Sequence, residues 1–267
     1  MATLEREDGK AVYFEDYGSG DSAIVLVHGW GMGLRMWDYN IPALINAGHR
    51  LVAIDHRGCG RSDKDFDDFG IQSIAGDVVA LVDHLGLNKV VLNGWSLGGA
   101  VVVAAAAELG DRCTGLFLTC AATPCYLQKS DYPHGGTEEA MAETLAAMAA
   151  DRVNFLAGLS AGVCADATPD VVGWMMRSFL EATPMAAQGL AELGPLDQRE
   201  VLAGLDIPIV STVGALDQVV DPNVCRSVKD YNDGASIIEF ESAGHAPQVE
   251  DAARYNEELV SFLSKCL

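Results

Sequence analysis

Short apolar runs and helical stretches alternate along most of the chain. Runs rich in Val, Ile and Leu predict buried strands at 22–27, 50–55, 89–93, 114–119, 208–213 and 236–240. Between these runs, apolar residues spaced three and four apart predict helices at 39–47, 71–85, 97–109, 223–231 and 251–266. This alternation favours an α/β fold with a mostly parallel central sheet flanked by helices on both faces.

The alternation stops in one segment. Residues 124–195 are predicted to be helical throughout, rich in Ala and Met and interrupted by Pro133, Pro169 and Pro184. We interpret 123–195 as a helical cap inserted into a core made of 1–122 and 196–267. Such an insertion is expected above the carboxyl ends of the strands, where α/β proteins bind their ligands.

The charge and the apolar runs exclude several classes of protein. With 17 basic and 38 acidic residues, the net charge is −21, so the chain lacks the basic surface that binds nucleic acid or anionic membranes. The longest apolar run, 100–107, is far shorter than the roughly 20 residues that span a bilayer. The acidic start of the chain does not resemble a signal peptide. We therefore expect a cytoplasmic protein.

The chain shows no pattern typical of a bound cofactor. Its seven cysteines contain no C-x-x-C pair, which predicts reduced, mostly buried thiols and no disulfide framework or zinc site. The metal and nucleotide-triphosphate motifs H-x-x-x-H and G-x-x-x-x-G-K-[ST] are absent. We expect neither a metal nor another cofactor.

Gly94-Trp95-Ser96-Leu97-Gly98 matches G-x-S-x-G between a predicted strand and a long predicted helix. This is the context of a nucleophile elbow, in which flanking glycines allow a sharp turn that exposes a strained serine. Ser160 lies in a second G-x-S-x-G at 158–162. That copy follows a helical stretch, so we predict that only Ser96 is a nucleophile.

A general base and its orienting acid are predicted on two later loops. His245 follows the last strand and precedes the last helix, so it reaches the same sheet edge as Ser96. Asp217 comes directly after the strand at 208–213, in the expected chain order Ser, Asp, His. Asp221, four residues further on, is the alternative candidate for the orienting acid. His28, beside Gly29, is interpreted as a histidine that braces its loop.

An oxyanion hole and a pocket complete the prediction. The loop His28-Gly29-Trp30-Gly31 follows an early strand, and the backbone N–H groups of Trp30 and Leu97 are expected to bind the oxyanion. Six apolar or aromatic residues of the oxyanion loop, the cap and the acid loop are candidate substrate contacts: Trp30, Met32, Tyr126, Phe155, Leu193 and Val219.

Four ordered motifs carry a family resemblance. They are HGWG at 28–31, HRGCGRSD at 56–63, GWSLGG at 94–99 and AGH at 243–245, with GALDQVV at 214–220 before the last. The chain resembles the α/β-hydrolase superfamily. The stretches 28–39, 54–64 and 123–135 are most similar to the bacterial arylesterase and cofactor-free haloperoxidase (perhydrolase) group. The resemblance implies Ser96, Asp217 and His245 as a triad, a helical cap, ester hydrolysis and often slow peracid formation.

We therefore expect a serine hydrolase that cleaves small carboxylic esters through an acyl-serine. Lactone hydrolysis and cofactor-free perhydrolysis use the same triad and stay open as alternatives. A non-catalytic, ligand-binding member of the fold is the alternative from a different class. The expected partner is a small ester or lactone, with no nucleic acid or membrane, and homo-oligomer formation stays open.

Overall fold

A computed structural model describes residues 2–267. Its eight strands form one sheet in the order β1-β2-β4-β3-β5-β6-β7-β8, antiparallel at β1-β2 and β2-β4 and parallel elsewhere. The strands are β1 (Ala2–Glu5), β2 (Ala11–Tyr17), β3 (Ser22–Val27), β4 (Leu51–Ile54), β5 (Lys89–Trp95), β6 (Cys113–Thr119), β7 (Ile209–Gly214) and β8 (Ala235–Phe240).

Helices cover both faces of this sheet. They are α1 (Ile41–Asn46), α2 (Ile71–His84), α3 (Leu97–Leu109), α4 (Glu138–Ala150), α5 (Arg152–Gly162), α6 (Pro169–Leu180), α7 (Ala187–Glu192), α8 (Arg199–Ala203), α9 (Pro222–Arg226), α10 (Val228–Tyr231), α11 (Pro247–Glu250) and α12 (Ala252–Cys266). One core layer packs under α2 and α3, and the other under α1 and α12. The predicted α/β fold with a mostly parallel sheet is confirmed.

The central strands are buried on both faces, which explains their continuous apolar sequence. Every residue of β3 after Ser22 is buried, as are all residues of β4 and β7. The six predicted strands lie within two residues of those observed. The hairpin of β1 and β2 was not predicted, because the edge strand β1 is short and both strands carry charged residues among their apolar ones.

The prediction of helix throughout 124–195 is wrong for its first part. Residues 126–136 form an irregular hairpin, in which the Gln128 N–H donates to Gly136 O at 2.9 Å and the Lys129 N–H donates to Tyr132 O at 2.8 Å. Pro133 cannot supply a helical N–H, and Gly135 has a φ of +90°. Helix begins only at Glu138, after the side chain of Thr137 accepts the N–H of Ala140 as an N-cap.

The remaining differences are small. The predicted helix at 223–231 is observed as two short helices, α9 and α10, separated at Ser227. All seven cysteines are free thiols, and all but Cys266 are buried. Across residues 2–267, no helix combines the length and the apolar character needed to cross a membrane.

Candidate active site

Ser96 occupies a strained turn between β5 and α3. Its φ of 59° and ψ of −123° lie outside the regions that residues with a side chain prefer. A Cβ at Gly94 would lie 2.2 Å from Gly98 O, and one at Gly98 would lie 2.4 Å from Val27 O. Because these neighbours are backbone atoms that cannot move aside, both positions require glycine. The Ser96 N–H donates to Thr119 O at 3.0 Å, which fixes the turn against β6.

His245 and Asp217 form a buried hydrogen-bonded pair. His245 Nδ1 lies 2.7 Å from Asp217 Oδ2. The second carboxylate oxygen, Oδ1, accepts the N–H groups of Val219 at 2.7 Å and Val220 at 3.0 Å. The Trp95 indole N–H donates to His245 O at 2.7 Å. With Nδ1 facing the carboxylate, Nε2 is the ring nitrogen that this pair leaves available.

Asp221, the rival acid, lies in a different environment. Its Oδ1 accepts the N–H of Asn223 at 2.9 Å as the N-cap of α9. Its Oδ2 accepts the N–H of Gly135 at 3.0 Å. This bond attaches the acid loop, residues 215–221 between β7 and α9, to the inserted segment, residues 123–195 between β6 and β7. The structure thus brings Asp217, and not Asp221, into hydrogen-bond contact with His245.

The loop that carries Trp30 lies directly against the serine. A Cβ at Gly29 would lie only 3.1 Å from the Ser96 Cβ. Leu97 is the first residue of α3, where backbone N–H groups have no acceptor within the helix and the helix dipole is positive. Trp30 and Leu97 both line the cavity that contains Ser96 and His245. This placement suits the two predicted oxyanion donors.

His28 braces this loop, as predicted. Its Nε2 accepts the backbone N–H of His56 at 3.0 Å, so the proton resides on Nδ1, which lies 2.7 Å from Gly29 O. The two imidazole rings stack with centroids 3.8 Å apart. Burial lowers the pKa of His28 to about 4 and also lowers the pKa of His56. Both rings are therefore neutral at pH 7.

The cavity above Ser96 encloses about 590 Å³ of space, part of it open to solvent. All six predicted contacts lie in its wall. Sequence reasoning missed five further apolar or aromatic residues there. The wall residues of the α5 region are spaced four positions apart: Phe155, Leu159 and Val163. This helical spacing in the sequence could have indicated that the three side chains lie on one face of a helix. The five missed residues are Trp95, Leu159, Val163, Phe179 and Leu190.

The inserted segment is hydrogen-bonded to three loops around the cavity. Each of these bonds joins two residues that lie far apart in the sequence. The bonds are Trp30 Nε1–H to Ala186 O at 2.8 Å, Tyr126 O–H to Val219 O at 3.0 Å and His245 N–H to Val163 O at 2.7 Å.

Cys120 is an unpredicted neighbour of the pair. Its thiol is buried, and potential ligand atoms of Cys120, Asp217 and His245 lie within 4.8 Å of one another. Burial raises the pKa of the Cys120 thiol well above its ordinary value, whereas a metal would require the thiolate. The imidazole and carboxylate already bind each other. The three residues therefore suit a hydrogen-bonded pair beside a neutral thiol better than a metal site.

The α/β hydrolase fold family matches residues 22–252, so the chain belongs to this family. It is 31% identical to a pimeloyl-[acyl-carrier protein] methyl ester esterase of Sodalis glossinidius, over 94% of this chain and 97% of that protein. It is 25% identical to a bifunctional esterase/perhydrolase of Acinetobacter calcoaceticus, over 98% and 99%. The structure of an esterase from Exiguobacterium antarcticum has a TM-score of 0.93 at 26% identity and covers 98% of both chains.

Proposed function

We propose that this protein hydrolyses small, uncharged carboxylic esters through an acyl-serine intermediate. The observation that most directly supports this proposal is the buried Asp217–His245 hydrogen bond beside a strained Ser96 in an apolar cavity. Membership of a hydrolase family with esterase relatives supports the proposal.

In the first half-reaction, Ser96 Oγ attacks the ester carbonyl carbon while His245 Nε2 takes the hydroxyl proton. The carbonyl π electrons move to oxygen, and the N–H groups of Trp30 and Leu97 stabilise this oxyanion; one such donor typically contributes about 10²–10³ in rate. The tetrahedral intermediate then expels the alcohol, which takes the proton from His245. Asp217 holds the imidazole tautomer and stabilises the imidazolium.

In the second half-reaction, water attacks the acyl-serine while His245 again accepts a proton. Collapse of the second tetrahedral intermediate breaks the bond to Ser96 Oγ, which regains its proton. The products are a carboxylic acid and the free enzyme, so no electrons or cofactor atoms are consumed.

The preference for an uncharged substrate is inferred from the cavity wall and from the segment that we propose as the cap, 123–195. Within residues 2–267, His245 is the only histidine that lines the cavity, and no lysine, arginine, aspartate or glutamate lines it. The cap segment has three basic residues against nine aspartates and glutamates. Such a surface repels an acidic carrier protein. We therefore propose a free ester as the substrate.

Two related reactions would use the same residues. A lactone gives an acyl-serine whose alcohol stays attached to the acyl chain. Hydrogen peroxide in place of water would release a peracid, and the name of the esterase/perhydrolase relative favours testing this route. The different-class alternative is a member of the fold that binds its ligand without turnover.

The test is a panel of short p-nitrophenyl esters and lactones, measured with wild type, Ser96→Ala and Ser160→Ala. Ser160 is a matched control because it lies in the second G-x-S-x-G, within α5, and donates to Leu156 O at 2.7 Å. We expect Ser96→Ala to reduce turnover to background and Ser160→Ala to retain it. A wild type that binds but never turns over these compounds would refute the esterase proposal. Equal loss in both variants would refute the assignment of Ser96.

A further inference from the structure

Glu250, at the end of α11, binds the backbone on both sides of His245. Its Oε1 accepts the N–H of Gly244 at 2.9 Å and the N–H of Ala246 at 3.2 Å. Its Oε2 lies 3.0 Å from the same Gly244 nitrogen. Hydrogen bonds from backbone N–H to a carboxylate are stronger than those between neutral groups. The carboxylate thus restrains the peptide units directly before and after the histidine.

The same carboxylate reaches the inserted segment. Glu250 Oε2 accepts the N–H of Ala165 at 2.7 Å, across 85 positions of sequence. The two chain segments meet closely here, since a Cβ at Gly244 would lie 2.6 Å from the Ala165 nitrogen. The His245 N–H donates to Val163 O at 2.7 Å in the same contact. One side chain therefore joins the histidine loop to residues 163–165.

We propose that Glu250 is a positioning residue, which sets the placement of His245 and couples it to the seating of the inserted segment. Glu250 does not line the cavity, so it touches neither substrate nor the reacting atoms. Its effect must pass through the backbone at 244–246. A displacement of about 1 Å in a catalytic group can cost about 10²-fold in rate, so this restraint matters to turnover.

This inference rests on the proposed function, because it assumes that His245 activates Ser96. The test compares wild type with Glu250→Gln, Glu250→Ala and the control Glu257→Gln. Glutamine keeps the size of the side chain, but one acceptor oxygen becomes an NH₂ group that faces a backbone N–H. Alanine removes every acceptor. Glu257 is an exposed carboxylate on the adjacent α12, so its substitution makes the same change of charge away from the loop.

Two readouts separate positioning from general destabilisation. The first is kcat and KM for the best ester of the panel, normalised to the concentration of sites that a fluorophosphonate titrates. The second is the rate at which that fluorophosphonate labels Ser96, which depends on no particular substrate. We expect kcat and the labelling rate to fall by about 10-fold for Glu250→Gln and up to about 100-fold for Glu250→Ala. KM should stay nearly constant, and Glu257→Gln should resemble wild type.

Normalised kcat and labelling rates equal to those of wild type in both Glu250 variants would overturn the positioning role, even if the variants melt at lower temperature. A change confined to KM would also overturn it, because that result would assign Glu250 to the pocket. If the fluorophosphonate labels Ser96 of the wild type, and both Glu250 variants match the wild type in normalised kcat and labelling rate, only this inference fails. If wild-type protein neither hydrolyses esters nor is labelled at Ser96, the proposed function fails and the role of Glu250 fails with it.

Discussion

Replacing Asp217 with asparagine should abolish nearly all turnover while leaving the fold intact. Asparagine has the same shape, and its carbonyl oxygen can still accept the N–H groups of Val219 and Val220, which lie 2.7 Å and 3.0 Å from Oδ1. The NH₂ group then faces His245 Nδ1 at the site of the present 2.7 Å contact. Because that group donates, the imidazole must carry its proton on Nε2, where it cannot accept the proton of Ser96.

The expected loss follows from this wrong tautomer. Substitution of this kind in a triad lowers kcat by about 10⁴-fold, which corresponds to about 5.5 kcal/mol of transition-state stabilisation. The control is Asp221→Asn, four residues further on. The amide oxygen of asparagine can keep the N-cap bond from Asn223, whereas its NH₂ group cannot accept the N–H of Gly135. Neither bond involves His245, so kcat should stay much closer to that of wild type than the kcat of Asp217→Asn does.

The assay is the initial rate on the best p-nitrophenyl ester, with circular dichroism melts to show that each variant is folded. The reasoning is refuted if Asp217→Asn retains more than about one tenth of wild-type kcat, since a tenfold loss is only about 1.4 kcal/mol. It is also refuted if Asp221→Asn loses more activity than Asp217→Asn.

Three further predictions concern stability and substrate size. Gly98→Ala should lower the free energy of unfolding by about 3 kcal/mol in urea titrations, because its Cβ meets backbone atoms at 2.4 Å and 2.5 Å. Gly158→Ala, in the second G-x-S-x-G, should raise it by about 0.5–1 kcal/mol, since that Cβ meets nothing within 4 Å and α5 gains a better helix former; equal effects would contradict this account. The pKa of buried His56 is lowered in the folded state, so the unfolded chain binds the proton first and stability falls as pH drops below about 6.5. His56→Phe should therefore reduce the dependence of the unfolding free energy on pH, between pH 6 and 5, by about 1 kcal/mol per pH unit relative to wild type; an unchanged slope would show that the ring is protonated when folded. Leu159→Trp should fill the cavity and shift preference towards shorter acyl chains, seen as a raised KM for butyrate relative to acetate esters; an unchanged preference would place the acyl group elsewhere.

The parts of the fold that the sequence predicts well are those with strong local signals. The central strands are apolar on both faces, so their composition alone separates them from helices and loops. Ser96, Asp217 and His245 each lie within five residues of the end of a strand, and parallel strands bring such positions to one edge. The β1–β2 hairpin and the turns at 126–136 lack this advantage, because their pairing depends on contacts with distant strands and on proline and glycine geometry.

Glu250 and Cys120 show a second limit of prediction from sequence. Nothing in the local sequence distinguishes Glu250 from other acidic residues near a helix end. Its importance comes from the approach of residues 163–165 to the histidine loop, which only the folded chain shows. Likewise, Cys120 reaches the Asp217–His245 pair because β6 and β7 are neighbours in the sheet.

The hydrogen bonds from the inserted segment to the loops of Trp30, Val219 and His245 have a consequence for protein engineering. A chimaera that exchanged residues 137–195 for those of a relative would replace the pocket wall, and any difference in backbone path would also move the carbonyl acceptors away from the positions of Val163 O and Ala186 O. Such grafts should lose turnover even on substrates that fit. Laboratory evolution of new substrate ranges would then proceed faster through single side-chain changes in α4–α7 than through exchange of the whole segment.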